Sequence, residues 1–172
     1  MALHRQAAAV TGVKDLGERP NTVPWPPIIF AGTAAMAFML DRLYRLGGVP
    51  RTVVGGVLGA VVMLAGLGLD IAAMRAMRRN RANILPHRAA TALVTTGPFA
   101  VSRNPIYLGN TLLLAGAGLA LGSAWFLVGA LVAARLVTTL AIKREEAHLA
   151  ARFGDAWHAY ARRTPRWLRL WP

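Results

Sequence analysis

Residues 104–134, NPIYLGNTLLLAGAGLALGSAWFLVGALVAA, form a run with no charged side chain, and its length decides the fold. One bilayer crossing takes about 20 apolar residues, so the run is too long for a single span. It is long enough for two if the second arm continues past Arg135 to about Ile142. Gly122 and Ser123 supply a turn between the arms. The expectation is a helical hairpin with arms at about 104–121 and 123–143.

Two further apolar runs lie upstream, Pro27–Leu40 and Val53–Leu69, and extend to spans at about 26–45 and 52–75. Hydrophobic residues make up 55% of the 172-residue chain, which fits lipid better than a soluble core. The expected fold class is therefore an all-α integral membrane protein with four transmembrane helices in one small domain at 26–172. A leader at 1–25 precedes it, rich in Pro and charge and without the apolar core of a signal peptide.

Orientation follows from the twenty Lys and Arg residues. The loop at 76–103 and its approach hold Arg75, Arg78, Arg79, Arg81, Arg88 and Arg103. The tail at 144–172 and its approach hold Lys143, Arg144, Arg152, Arg162, Arg163, Arg166 and Arg169. The opposite side carries only Arg42, Arg45 and Arg51. The positive-inside rule then places both termini in the cytoplasm. The net charge of +13 flanks spans rather than a nucleic-acid motif, so anionic headgroups are the expected partner and nucleic acid is not. The absence of cysteine excludes disulfides, thiolate nucleophiles and cysteine-ligated metal centres. His87 has no neighbour at metal-ligand spacing, so no metal is expected.

Several side chains stand out from this background. Arg103 precedes a helix start at Asn104-Pro105, where Asn caps and Pro fits the first turn. An Arg there opposes the helix dipole unless an anion lies close. Arg135 lies about two turns inside the cytoplasmic end of the fourth span, where it either snorkels or orients an anionic substrate group. Gly66 and Gly68 in the second span read as close-packing positions or as places where a bulky ligand lies against backbone. Asp70, near the basic cluster, reads as a headgroup-level partner for Arg. Glu145 and Glu146 follow the fourth span, and adjacent helical positions cannot face one pocket together. Phe153, Trp157 and Tyr160 share one side of the tail helix and serve either as an interfacial anchor or as a cover for a ligand.

Taken in order, the segments Leu93-Val94-Thr95-Thr96-Gly97-Pro98-Phe99, Arg103-Asn104-Pro105-Ile106-Tyr107-Leu108-Gly109, Glu145-Glu146-Ala147-His148-Leu149 and Phe153-Gly154-Asp155-Ala156-Trp157-His158-Ala159-Tyr160 resemble the isoprenylcysteine carboxyl methyltransferase family of membrane methyltransferases, which includes relatives of the phospholipid N-methyltransferases. The resemblance covers about 83–167. Asn104 stands where that family usually has histidine, as in the Asn-Pro-x-Tyr version of the phospholipid relatives. Ala141 stands where the carboxyl methyltransferases have an arginine that holds prenylcysteine carboxylate, which weakens prenylcysteine as a substrate.

The resemblance implies S-adenosylmethionine as cofactor and a tail helix that closes its pocket. On matching positions Leu93, Val94, Phe99, Asn104, Pro105, Ile106, Tyr107 and Glu145 would line that pocket, with Gly66 and Gly68 corresponding to a Gly-x-Gly element. An amine acceptor would need Glu146, His148 or His87 nearby as base, and Arg135 is the candidate for orienting an anionic acceptor. The expected function is methyl transfer to a lipophilic, membrane-partitioned carboxylate, amine or thiol. Alternatives are an NADPH-dependent sterol-reductase-like enzyme and a non-catalytic membrane adaptor.

Overall fold

A computed structural model of the chain describes residues 25–82 and 91–168. The expected leader up to residue 24, together with His87 and Arg88, lies outside the described residues. Helix α1 is Trp25–Leu43, α2 Val53–Arg79, α3 Pro105–Leu121, α4 Ala124–Val137 and α5 Lys143–Arg163. A 3₁₀ turn at Gly97–Ala100 precedes α3, a π turn at Thr138–Ile142 joins α4 to α5, and α5 is kinked at Gly154, where the backbone turns to φ 50°. The described residues contain no strand.

Each boundary has a local cause. The Thr52 hydroxyl accepts the Gly55 N–H at 3.0 Å and starts α2. Gly122 ends α3 in the left-handed region at φ 61°, and the Ser123 N–H returns to the Gly118 carbonyl at 2.8 Å. A side chain at 122 would also press on the Arg51 backbone, 2.9 Å away, so glycine meets two demands there. The Ser123 hydroxyl donates to Asp41 Oδ1 at 2.6 Å, giving Asp41 a role in tying the end of α1 to the α3–α4 turn.

The helices pack as an open row. Helix α2 lies along α3, α3 against α4, and α4 against α1, so α1 packs on α4 rather than on its sequence neighbour α2. The α2–α3 seam is glycine-built: a Cβ on Gly59 would sit 2.5 Å from the Gly116 carbonyl oxygen, and one on Gly66 2.6 Å from that of Gly109. Phe30, Ala37, Phe126, Ala133 and Val137 form much of the buried core between α1 and α4.

The outer faces are apolar, with Leu64 67% and Leu131 73% exposed beside Val57, Val61 and Phe38. Water would penalise such a surface and lipid would not. Helix α2 and the stretch Ala124–Arg163 are long and apolar enough to cross a membrane, while α3 is apolar but shorter.

Candidate functional site

A cavity of about 350 Å³ opens where α1, the ends of α2 and α3, the strap before α3 and the tail helix converge. Met74 and Met77 come from α2, and Pro26, Pro27 and Phe30 from α1. The strap gives Leu93, Val94 and Phe99. The start of α3 gives Asn104, Pro105, Ile106, Tyr107 and Asn110. Helix α5 closes it with Glu145, Glu146, His148, Leu149, Trp157 and Tyr160.

The polar end is organised by one bond across the hairpin. Tyr107 donates its hydroxyl to Glu145 Oε1 at 2.6 Å, joining residues 38 positions apart. Burial pushes the Glu145 carboxyl from its ordinary 4.5 up to about 7; the Tyr107 bond pulls it back and neighbouring Glu146 adds to the rise. Glu145 is thus poised to gain or lose charge with its surroundings.

Glu146 lines the same cavity, which the spacing of adjacent helical positions did not lead one to expect, but its carboxylate takes different partners. Arg166 grips it with two bonds, Nε to Oε1 at 2.9 Å and a terminal nitrogen to Oε2 at 2.6 Å. Arg103 approaches Oε1 at 3.3 Å. This is the anion that the position of Arg103 before α3 calls for. The Arg103 guanidinium also lies 5.5 Å from the Trp157 ring centre, and its Nε is buried without a partner.

A second set of bonds stitches the tail onto the strap. The Arg103 N–H donates to the Pro165 carbonyl at 2.9 Å, and Ser102 Oγ to that of Arg166 at 3.3 Å. Asn104 occupies the cap position of α3, yet its side chain donates to the Arg166 carbonyl at 3.0 Å instead of capping the helix. Tyr160 donates to the Phe99 carbonyl at 2.7 Å and meets Trp157 edge to face. Trp157 and Tyr160 are buried against the cavity, so this side of the tail helix covers a pocket.

The structure therefore brings Leu93, Val94, Phe99, Asn104, Pro105, Ile106, Tyr107, Glu145 and Glu146 to one cavity. It does not bring Arg135, Gly66 or Gly68 there. Arg135 is exposed on the outer side of α4. Gly66 is buried in the α2–α3 seam, and a Cβ on Gly68 would meet open space. Glu146 reaches the wall, but both its oxygens are held by guanidinium donors, the arrangement of a clamp rather than of a free base. Sequence reasoning passed over Asn110 as a site residue, although it shares a helix face with Tyr107 and Ile106.

The fold and cavity define a helical protein with a lipid-compatible exterior and a ligand pocket whose polar groups gather at one end. The sequence pattern of the phospholipid methyltransferase family matches residues 54–156, more than half the chain, and the chain belongs to that family. It is also similar to the nickel-cobalt-cadmium resistance protein NccN of Alcaligenes xylosoxydans xylosoxydans, 38% identical over 78 residues, which are 45% of this chain and 36% of that protein. The match thus spans about a third of that relative's length. No solved structure matches the chain.

Proposed function

We propose that this protein is an integral-membrane, S-adenosylmethionine-dependent methyltransferase acting on a lipophilic or membrane-partitioned acceptor. The observation that carries the reading is the Tyr107–Glu145 bond at the polar end of an otherwise apolar cavity. About 350 Å³ lies within the ~300–1,000 Å³ of small-molecule pockets. The donor set suits a cationic nucleoside. Ionised Glu145 balances positive charge, and Phe99, Trp157 and Tyr160 offer aromatic faces. The Asn104 side-chain Oδ1, on the other arm of the amide whose nitrogen donates to Arg166, would accept from a base edge.

In this reading α1 to α4 are four spans, both termini face the cytoplasm, and the cofactor enters from that side. The 17 residues of α3 reach about 26 Å at about 1.5 Å per residue, enough for a thin crossing. Helices α1 and α2 flank the cavity without packing on each other, which gives a lipophilic acceptor a lateral way in from the bilayer.

When bound, the cofactor supplies a methyl group on a sulfonium centre for in-line displacement. The chain's contribution is alignment and exclusion of water. Tyr107 fixes the Glu145 carboxylate, Trp157 and Tyr160 close the cytoplasmic side, and Met74, Met77 and Phe30 hold the acceptor's apolar part. Gly66, Gly68 and Arg135 take no part in this site. The test is mass spectrometry of membrane extracts incubated with purified protein and isotopically labelled donor. One lipophilic species should gain the label with the wild type and not with Glu145→Ala. Absence of any labelled product, together with absence of saturable donor binding, would defeat the proposal.

A further inference from the structure

Arg135 is a cation that the cavity does not use. It stands on the outer side of α4, on one helical face with Val128, Leu131 and Val132, and all four are exposed. The backbone stays helical from Ala124 through the π turn to Lys143, so this face continues past Arg135. One α turn takes up about 3.6 residues and a π turn about one residue more, so together they carry the chain about eight residues. Lys143, eight residues on and also exposed, therefore stands in line below Arg135. Without the π turn it would be rotated about 80° away.

Neither cation makes an ion pair within the described residues. Every described carboxylate is engaged elsewhere. Asp41 is held by Ser123 at the start of α4, about 18 Å along the helix from Arg135, and Glu145 and Glu146 line the cavity. Asp155 lies beyond the kink in α5. Asp70, expected beside the Arg cluster that follows it, is instead buried between α2 and α3, where a Cβ on Gly109 would strike its carboxylate and the Asn110 amide nitrogen lies 3.4 Å away. A guanidinium about 12 Å deeper than Lys143, among exposed apolar side chains, is costly in hydrocarbon until an anion reaches it.

Resting on the reading of α4 as a membrane span, we propose that Arg135 and Lys143 together bind the phosphate of an inner-leaflet phospholipid whose headgroup carries net negative charge, with one acyl chain along Val128, Leu131 and Val132. Both stems are long and flexible enough to converge on one group between them. Two cations with no carboxylate beside them favour such a lipid over a zwitterionic one, whose own ammonium would be pressed against Lys143. The site lies outside the cavity, so this lipid anchors the junction of α4 and α5 and is not the methyl acceptor. It is also one defined place, unlike the diffuse attraction of the exposed arginines at the ends of α2 and α5.

The experiment titrates the full chain in dodecyl maltoside micelles with dioleoylphosphatidylglycerol or dioleoylphosphatidylcholine, which share their chains, and counts bound lipid by native mass spectrometry. The glycerol lipid should bind about tenfold or more tightly than the choline lipid. Arg135→Leu and Lys143→Leu should each weaken it about fivefold, the worth of one cation near a headgroup, and the double variant should bind both lipids alike. Arg152→Leu removes the same charge from an exposed position about two and a half turns past Lys143, on the opposite side of α5, and should change affinity less than about twofold. In thermal unfolding followed by circular dichroism, the glycerol lipid should raise Tm of the wild type and not of the double variant. Equal binding of the two lipids by the wild type, unchanged affinity in Arg135→Leu, or a loss in Arg152→Leu as large as in Arg135→Leu would overturn the inference. So would a wild type that ignores both lipids yet retains a leucine-rich transmembrane peptide carrying one aspartate and loses it on Arg135→Leu, because the face would then belong to a partner helix. Binding of S-adenosylhomocysteine is measured on the same samples: its absence beside an intact lipid preference would defeat the methyltransferase reading and leave this inference standing.

Discussion

Replacing Glu146 by Gln separates a clamp from a catalytic base. Glu146 is 15% exposed, Arg103 14% and Arg166 36%, so the ion pairs are partly sheltered. Breaking a pair costs about 0–1 kcal/mol at the surface and about 3–5 kcal/mol in the interior. With one bidentate and one longer contact, about 2 kcal/mol is the reasonable value here. At about 2–4 °C per kcal/mol for a chain of this size, Tm should fall by about 4–8 °C in a thermal-unfolding assay. Arg166→Ala should cost a similar amount, and the double variant little more, because each single change already breaks the bidentate contact. The reasoning is refuted if Glu146→Gln leaves Tm unchanged while abolishing methyl transfer, since that is how a general base would behave.

Donor affinity should depend on pH through Glu145. Its carboxyl, raised to about 7, is mostly neutral at pH 6 and mostly ionised at pH 8, so affinity for the cationic donor should rise by roughly tenfold across that range in titration calorimetry, and Glu145→Gln should flatten the profile. The ligand-free protein should show the opposite trend. A carboxyl whose native pKa stands above its ordinary 4.5 adds stability that is fully present below about pH 4.5 and lost as pH rises through about 7, which denaturation at a series of pH values would reveal. The two glycines of α2 should respond differently to alanine. Gly66→Ala drives a Cβ to 2.6 Å from the Gly109 carbonyl oxygen and should cost about 1–3 kcal/mol, whereas Gly68→Ala enters open space and should stay within about 0.5 kcal/mol, with donor affinity unchanged. Loss of donor binding in Gly68→Ala would return that glycine to the site.

What the sequence revealed was set by local chemistry. The arms on either side of Gly122 and Ser123 were legible because a left-handed glycine turn and uninterrupted apolar runs need no tertiary information. That Glu145 and Glu146 take different partners was legible because adjacent helical positions differ by about 100°, but that both line one cavity was not. The partners were not legible. Nothing in the spacing tells that Tyr107 would take Glu145, or that Arg103 and Arg166 would meet on Glu146.

That Arg135, Gly66 and Gly68 lie away from the cavity was not legible, for another physical reason. Helices that are apolar on every side carry no stripe to show which face turns inward. Arg135 thus fell on the outer side and Gly66 in a helix seam. The same lack of a stripe concealed the packing of α1 on α4. Asn110, a single polar residue inside an apolar run, looked incidental until the fold set it beside Asp70.

The most direct measurement is a double-mutant cycle on S-adenosylmethionine affinity with Tyr107→Phe and Glu145→Ala. The wild type should bind saturably. Each single variant should bind about tenfold or more weakly, consistent with about 1.5–3 kcal/mol for a hydrogen bond to a charged group. The double variant should be no worse than Glu145→Ala alone, because the tyrosine acts through the carboxylate. Wild-type affinity in either single variant, or fully additive losses in the double, would contradict a cofactor site built on that bond.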